Sequence, residues 1–240
     1  MITSVDNPRV KELAKLQLKK YRDRFKQCLI EGHHLVEAAQ AAGLLEHVYV
    51  LQPEPDYPNA TELSEHVMKK ITQAKTVPAV IGVCKTTLPD TIGERVLFLE
   101  RIQDPGNMGA LIRTAIAFGF TSLVLDGCVD VFNAKVLRAT QGAIFQISVS
   151  QQDIKTFKMR YPTHTLYAAV PSAFDNMPAR PNGPFCLMLG HEGQGLRDET
   201  VSLADATLTI PMQGFDSLNV SVAGAILMHA LSCKPIFKDD

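Results

Sequence analysis

Tryptophan is absent from the 240 residues, and no apolar run approaches the ~20 residues that a membrane helix needs. Charge of one sign is missing as well: 24 Lys and Arg stand against 25 Asp and Glu, a net charge of −1. That balance excludes a protein whose whole surface is a cationic sleeve for nucleic acid, but leaves room for a local basic patch. The five cysteines, Cys28, Cys84, Cys128, Cys186 and Cys233, are odd in number and none belongs to a C-x-x-C pair. Neither a disulfide framework nor a zinc site is supported, and no metal is expected. Their apolar neighbours make most of them small buried hydrophobes. The opening MITSVDNPRVKELAKL has no apolar core behind a basic start, so no secretory signal and no membrane partner are expected, and the expected compartment is the cytoplasm. Internal repeats and low-complexity tracts are also lacking.

What is present suits a globular chain of one or two domains: 46% of residues are hydrophobic and 20% charged. The charge is unevenly placed. Residues 9–26 carry Arg9, Lys11, Lys15, Lys19, Lys20, Arg22, Arg24 and Lys26 against only Glu12 and Asp23. With Leu13, Leu16 and Leu18 among them, they read as one or two helices with a solvated basic side, either an ordinary exposed face or a grip on phosphates. Short strands are expected at 28–32, 47–52 and 79–85, and helices at 34–43, ending at Gly43, and at 61–69. The polar stretch TTLPDTIGE at 86–94 marks a boundary. The expected division is a domain over 1–88, a linker over 89–94 and a second domain over 95–240.

From residue 96 the rhythm is strand, helix, strand. Strands are expected at 96–102, 121–127, 144–149, 165–170, 185–189 and 206–210, and helices at 107–119, 133–140, 151–160, 197–204 and 217–232. That alternation predicts an α/β fold with a mainly parallel sheet, helices on both faces and a ligand site outside the carboxyl ends of the strands.

Three segments there share a form: an apolar strand, a loop rich in Gly or Asn, then a helix. The first is RIQDPGNMGALIRTAIAFGF at 101–120, where Asn107 suits the helix N-cap and Arg113 flanks an apolar stripe. An Arg so early in a helix opposes the helix dipole, which favours a role beyond the helix itself, a surface salt bridge being the plainer reading. The second is FCLMLGHEGQGLRDE at 185–199, with Gly190, Gly193 and Gly195 spaced G-x-x-G-x-G and Glu192 the lone carboxylate among them. This spacing is neither the dinucleotide fingerprint nor a P-loop, but it lets a backbone approach a ligand closely. The third is TIPMQGFDSLNVSVAGAILMHAL at 209–231, where Ser217 or Asn219 can cap a helix containing Ser221, Ala223, Gly224 and Ala225. Such small residues permit close helix packing, within a protomer or across an interface. His33 and His34 read as solvated or capping residues, and His191 as part of its loop.

Taken together, the three loops resemble the three motifs of the SpoU (TrmH) family of RNA ribose 2′-O-methyltransferases in the SPOUT superfamily. The matching patterns are N-x-G-x-x-x-R-T-A, L-G-x-E-G-x-G-L, and I-P-M followed by S-L-N-V-S-V-A. The segments VDNPRVKELAKL and CLIEGHHLVEAA look like the family's RNA-binding domain, akin to a ribosomal protein fold. The resemblance implies a Rossmann-like parallel sheet with a deep trefoil knot, a rare topology, and a homodimer with its active site near the interface. It also implies S-adenosylmethionine held largely by main-chain groups, at positions matching Gly190, Ile210 and Leu218, with Leu189 and Met212 beside them. Asn107, Arg113, Glu192, Ser217 and Asn219 fall at its functional positions. For Arg113 two roles stay open, general base or clamp on the substrate phosphate. Arg9, Lys19, Lys20 and Arg22 become candidate RNA contacts. Ribosomal RNA is the favoured substrate; a tRNA 2′-O-methyltransferase and a non-catalytic RNA-binding or ribosome-assembly factor are the alternatives.

Overall fold

A computed structural model describes residues 1–171, 181–213 and 217–232. The chain packs as two compact units, Met1–Thr87 with Asp130–Phe145, and Leu88–Val129 with Gln146–Asp240.

The first unit opens with α1 (Pro8–Lys15), whose start is set by Asn7: its side chain accepts from the Arg9 N–H at 2.8 Å, and proline occupies the first turn. α2 (Lys19–Phe25) ends at Lys26, which adopts φ 55°. β1 (Gln27–Glu31), α3 (His33–Ala41) and β2 (Leu45–Val50) follow. Gly43, at φ 69°, stands just beyond α3 as expected. The helix expected at 61–69 begins later: Thr61–Glu62 form a short β3, and α4 spans Glu65–Ile71. β4 (Val80–Lys85) then lies antiparallel between β1 and β2, giving the order β1-β4-β2-β3. Leu13, Leu16, Leu63, Met68 and Ile71 pack with Ile81 into one core.

The division expected from the sequence differs from this packing in one respect. Residues 130–145, expected within the second domain, pack with the first unit. Val136, Leu137 and Ile144 of this segment are buried, and two ion pairs join it to that unit. Arg22 is 6% exposed, and its Nε and Nη2 donate to Asp130 Oδ2 at 3.1 and 2.5 Å. Glu31, whose side chain is 5% exposed, pairs at 2.6 Å with Arg138 on α6 (Ala134–Thr140). Removing one partner of such a buried pair leaves an uncompensated charge.

In the second unit, β5 (Arg95–Glu100), α5 (Pro105–Ala117) and β6 (Ser122–Asp126) run as expected. A 3₁₀ turn over Ala143–Gln146 delays the next strand, so β7 spans Ser148–Gln151. α7 (Ile154–Arg160), β8 (Thr165–Ala169), β9 (Phe185–Leu189), α8 (Asp198–Ser202), β10 (Ala206–Leu208) and α9 (Val220–Ser232) complete the unit. All six strands are parallel in the order β10-β8-β9-β5-β6-β7. β9 is buried along its whole length, as a strand covered on both faces must be. Gly224 lets α9 close on this protomer's own core, because a Cβ there would stand 2.6 Å from Leu111 and 2.8 Å from Leu189. The expected knot depends on a path through 214–216, which lie outside the described residues.

Cys28, Cys84 and Cys186 are buried, Cys128 is half-buried, and Cys233 lies outside the described residues. Burial pushes the Cys128 thiol up to about 11 and that of Cys186 further still, so both behave as inert hydrophobes. Among the described residues no helix is long and apolar enough to cross a membrane.

Candidate active site

In an open parallel sheet a ligand site forms beyond the carboxyl ends of the strands, where the strand order reverses. Here the reversal falls between β5 and β9, which are hydrogen-bonded neighbours. The segments leaving them, 101–107 and 190–197, are therefore adjacent. Residues 209–213, leaving β10, emerge at the same end of the sheet.

Asp104, rather than Asn107, caps α5: its Oδ1 accepts from the Asn107 main-chain N–H at 2.8 Å, and Pro105 takes the first helical position. The Asn107 side chain is thereby released for tertiary contacts. Its Nδ2 donates to Glu192 Oε1 at 3.1 Å, and its Oδ1 accepts from Asn219 Nδ2 at 3.0 Å. One amide thus joins all three segments. Asn219 in turn caps α9, accepting from the Ser221 N–H at 2.9 Å. Partial burial pushes the Glu192 carboxyl up. Donors from Asn107 and from the main chain at Glu192 and Asp104 outweigh that effect and leave it below the ordinary range. Glu192 is accordingly a charged acceptor that ties the first and second loops together.

The glycine-rich loop turns back on itself, with His191 and Gly195 exchanging main-chain hydrogen bonds of 3.1 and 2.8 Å. At Gly190 the need is for space: a Cβ there would stand 2.2 Å from the Gly195 carbonyl carbon and the Leu196 nitrogen. The far end of the loop is fastened by residues not anticipated from the sequence. Glu100, fully buried at the end of β5, accepts from the Arg197 main-chain N–H at 2.6 Å, Arg197 Nε at 2.8 Å and Thr200 Oγ1 at 2.5 Å. Arg197 also pairs with Asp126. Burial pushes the Glu100 carboxyl up, but these donors prevail and hold it below the usual range. Arg101, at φ 57°, donates to Gln194 Oε1 at 2.9 Å. The only sequence signal for this clasp was an acid closing the apolar run at 96–99.

Beside the loop lies a cleft of about 550 Å³, within the ~300–1,000 Å³ usual for small-molecule sites. Leu189, Gly190, Glu192, Ile210, Met212, Ser217 and Leu218 line it, as do Asp198, Val201 and Leu227, which were not anticipated. Asn107 and Asn219 reach its border through Glu192. Arg113 does not line it. It lies on the exposed face of α5, six residues and about 9 Å along the axis from Asn107, with no carboxylate partner among the described residues. The N–H groups of Ile210, Met212 and Leu218 have no protein acceptor among the described residues, and these three residues are in the lining of the cleft. Apolar walls with free main-chain donors suit a planar heterocycle carrying polar edges. Among the described residues no group of three or more His, Cys, Asp or Glu could hold a metal.

The basic candidates lie in the first unit. Lys20 is exposed, and Lys19 pairs with Asp23 at 2.6 Å. Arg9 donates from Nε to Tyr49 Oη at 2.9 Å and pairs with Glu12 at 3.2 Å, with a side chain 41% exposed. Arg22 is a correction: its guanidinium is buried against Asp130 and the carbonyls of Leu16 and Gln17, so it is not offered to RNA.

A cleft walled by a glycine loop at the reversal point of a parallel sheet defines an α/β domain that binds a nucleotide-like ligand. Residues 94–229 match the SpoU rRNA Methylase family, and residues 7–82 match the MRM3-like substrate binding domain. The chain belongs to the SpoU rRNA methylase family. It is 34% identical, over 96% of its length and 98% of the relative's, to the 23S rRNA (guanosine(2553)-2′-O)-methyltransferase RlmP of Bacillus subtilis (strain 168). Its structure is similar to that of an AdoMet-bound rRNA methyltransferase from Sinorhizobium meliloti, with a TM-score of 0.84, 29% identity and 96% of each chain covered. It is also similar to an RNA 2′-O ribose methyltransferase, with a TM-score of 0.79, 32% identity, and 96% of this chain and 97% of that one covered.

Proposed function

We propose that this protein transfers a methyl group from S-adenosylmethionine to a ribose 2′-hydroxyl of large-subunit ribosomal RNA. The observation that carries this reading is the Asn107 amide joining Glu192 and Asn219 beside the cleft, which gathers the three family motifs into one site. When bound, S-adenosylmethionine supplies an electrophilic methyl group on a positively charged sulfur. The protein's contribution is placement. A 2′-hydroxyl is a weak nucleophile that must lose its proton and attack in line, and holding reactants in such a geometry is worth up to about 7–11 kcal/mol. Leu189, Gly190, Ile210, Met212 and Leu218 would hold the cofactor, Ser217 stands in the cleft wall beside them, and Asn107, Glu192 and Asn219 keep the loops in register.

Arg113 offers a planar fork of donors that matches a phosphate beside the target ribose. A lysine has no fork. Arg113→Lys is expected to lower kcat about a hundredfold while leaving S-adenosylmethionine affinity unchanged. A wild-type rate in single-turnover assays removes Arg113 from the machinery.

The active assembly is a homodimer through the C-terminal domain. Leu218, Val222 and Ile226, spaced four residues apart and 39%, 48% and 39% exposed, form an apolar face on and before α9 that a second copy covers. Ile226→Asp is expected to yield monomers in sedimentation equilibrium. A dimer mass for that variant places the interface elsewhere.

The test of the reaction pairs calorimetric titration with S-adenosylmethionine and a map of 2′-O-methyl groups in total RNA from cells with and without the protein. Cofactor binding together with loss of a large-subunit rRNA methyl group is the expected result. A tRNA site instead moves the substrate, and no cofactor binding leaves an RNA-binding or assembly factor.

A further inference from the structure

α2 carries an aromatic pair that the core does not explain. Tyr21 and Phe25 stack with ring centroids 6.0 Å apart and planes 11° from parallel, and Phe25 is 41% exposed. Lys15 and Lys20 lie over the Tyr21 ring at 5.8 and 4.9 Å, and the Arg24 guanidinium over Phe25 at 5.5 Å. Lys15, Lys20, Arg24 and Lys26 have no carboxylate partner among the described residues, whereas Lys19 is paired with Asp23 and Arg22 with Asp130. Next to Phe25 an open cleft of about 220 Å³ has Leu13 and Leu16 in its lining, with Arg9, Glu12 and Gln27 supplying polar groups. It is less than half the size of the cleft beside the glycine loop.

We propose that this cleft and the Tyr21–Phe25 pair form a stacking site for an unpaired base of a single-stranded RNA segment, with Lys15, Lys20, Arg24 and Lys26 on the phosphates to either side. An exposed ring alone would suit any apolar partner. Four unpaired cations around the rings select a polyanion, and a planar face beside a cleft with donors and acceptors selects a splayed base over a duplex, whose bases are stacked out of reach. The inference rests on the reading of RNA as substrate, and adds that the N-terminal unit holds a base as well as a backbone.

Fluorescence anisotropy of the full chain with three RNA probes tests it: a short mixed-sequence single strand, the same strand with abasic residues, and its duplex. Phe25→Leu is expected to weaken binding of the base-bearing single strand about tenfold and to leave the abasic strand unchanged. Phe25→Trp, which keeps a stacking face, is expected to bind at least as tightly as wild type, and it carries the test if the leucine variant does not fold. Lys20→Ala should weaken both single strands alike and reduce the salt slope by about 0.7. Wild-type affinity in Phe25→Leu, an equal loss on the abasic strand, or tighter binding of the duplex overturns the proposal. Methyl transfer to rRNA is measured in parallel: a lost Phe25 effect with intact methylation sinks only the stacking site, and the reverse sinks only the reaction.

Discussion

Gly190→Ala is expected to abolish measurable binding of S-adenosylmethionine in calorimetry, a loss of at least about 3 kcal/mol or a hundredfold in affinity. The cause is backbone against backbone. The new Cβ would stand 2.2 Å from the Gly195 carbonyl carbon and the Leu196 nitrogen and 2.4 Å from the Gly195 oxygen. No rotamer relieves such a clash, so residues 195–196 must move outward. They cannot do so freely, because His191 and Gly195 are joined by two main-chain hydrogen bonds and Arg197 is held to Glu100. Overpacking of this kind costs about 1–3 kcal/mol in stability, and the displaced loop forms one wall of the cleft. The neighbouring glycines supply the controls. At Gly193 the closest atom to an added Cβ is 3.9 Å away, so Gly193→Ala should bind the cofactor almost normally. Gly195 has open space but φ 68°, so Gly195→Ala should cost about 1 kcal/mol through strain alone. Binding within threefold of wild type by Gly190→Ala would show that the loop wall does not shape the cofactor site.

These three glycines show how far a sequence can be read. Their clustering marked a place of close backbone approach. It did not show that at Gly190 the approaching backbone belongs to the loop itself, since that depends on where residues 195–196 return. The first loop carries a similar lesson. Asp104 and Asn107 are both good capping residues, and the deciding neighbour is Pro105, which is favoured at the first helical position and so assigns the cap to Asp104. The Asn107 side chain, read from the sequence as a cap, instead bonds Glu192 and Asn219. The strand and helix rhythm after residue 95 was legible because parallel strands buried on both faces read as short apolar runs, LFL at 97–99 and FCLML at 185–189 among them. Arg22 was not legible. It belongs to a basic helix, but its partner Asp130 is 108 residues away, and nothing in either local pattern announces the pair. The same holds for Arg138, whose partner Glu31 is 107 residues away in the N-terminal unit.

Glu100 was equally hidden, and replacing it is the second change of large effect. Glu100→Gln is expected to lower stability by about 2–4 kcal/mol at neutral pH and to weaken cofactor binding at the same time. The carboxylate accepts from Arg197 twice and from Thr200 once, and it is fully buried. A glutamine of the same shape has one acceptor oxygen and must turn an NH₂ toward donors, leaving at least one of them unmatched. Arg197 is 41% exposed and still has Asp126, which keeps the loss below that of a fully buried pair. The pH dependence separates lost charge from lost shape. The Glu100 carboxyl is held below its ordinary range when folded. Its contribution is therefore fully present above the unfolded value of about 4.3 and is lost as pH falls through the lower folded value. The difference in urea midpoint between wild type and Glu100→Gln should be constant from neutral pH down to about 5, then narrow as the wild-type carboxylate takes up its proton. Because Glu100 is not in the lining of the cleft, weakened cofactor binding in this variant reports the position of the loop. Equal urea midpoints and equal cofactor affinities for the two proteins would mean that residues 190–197 hold their place without the clasp.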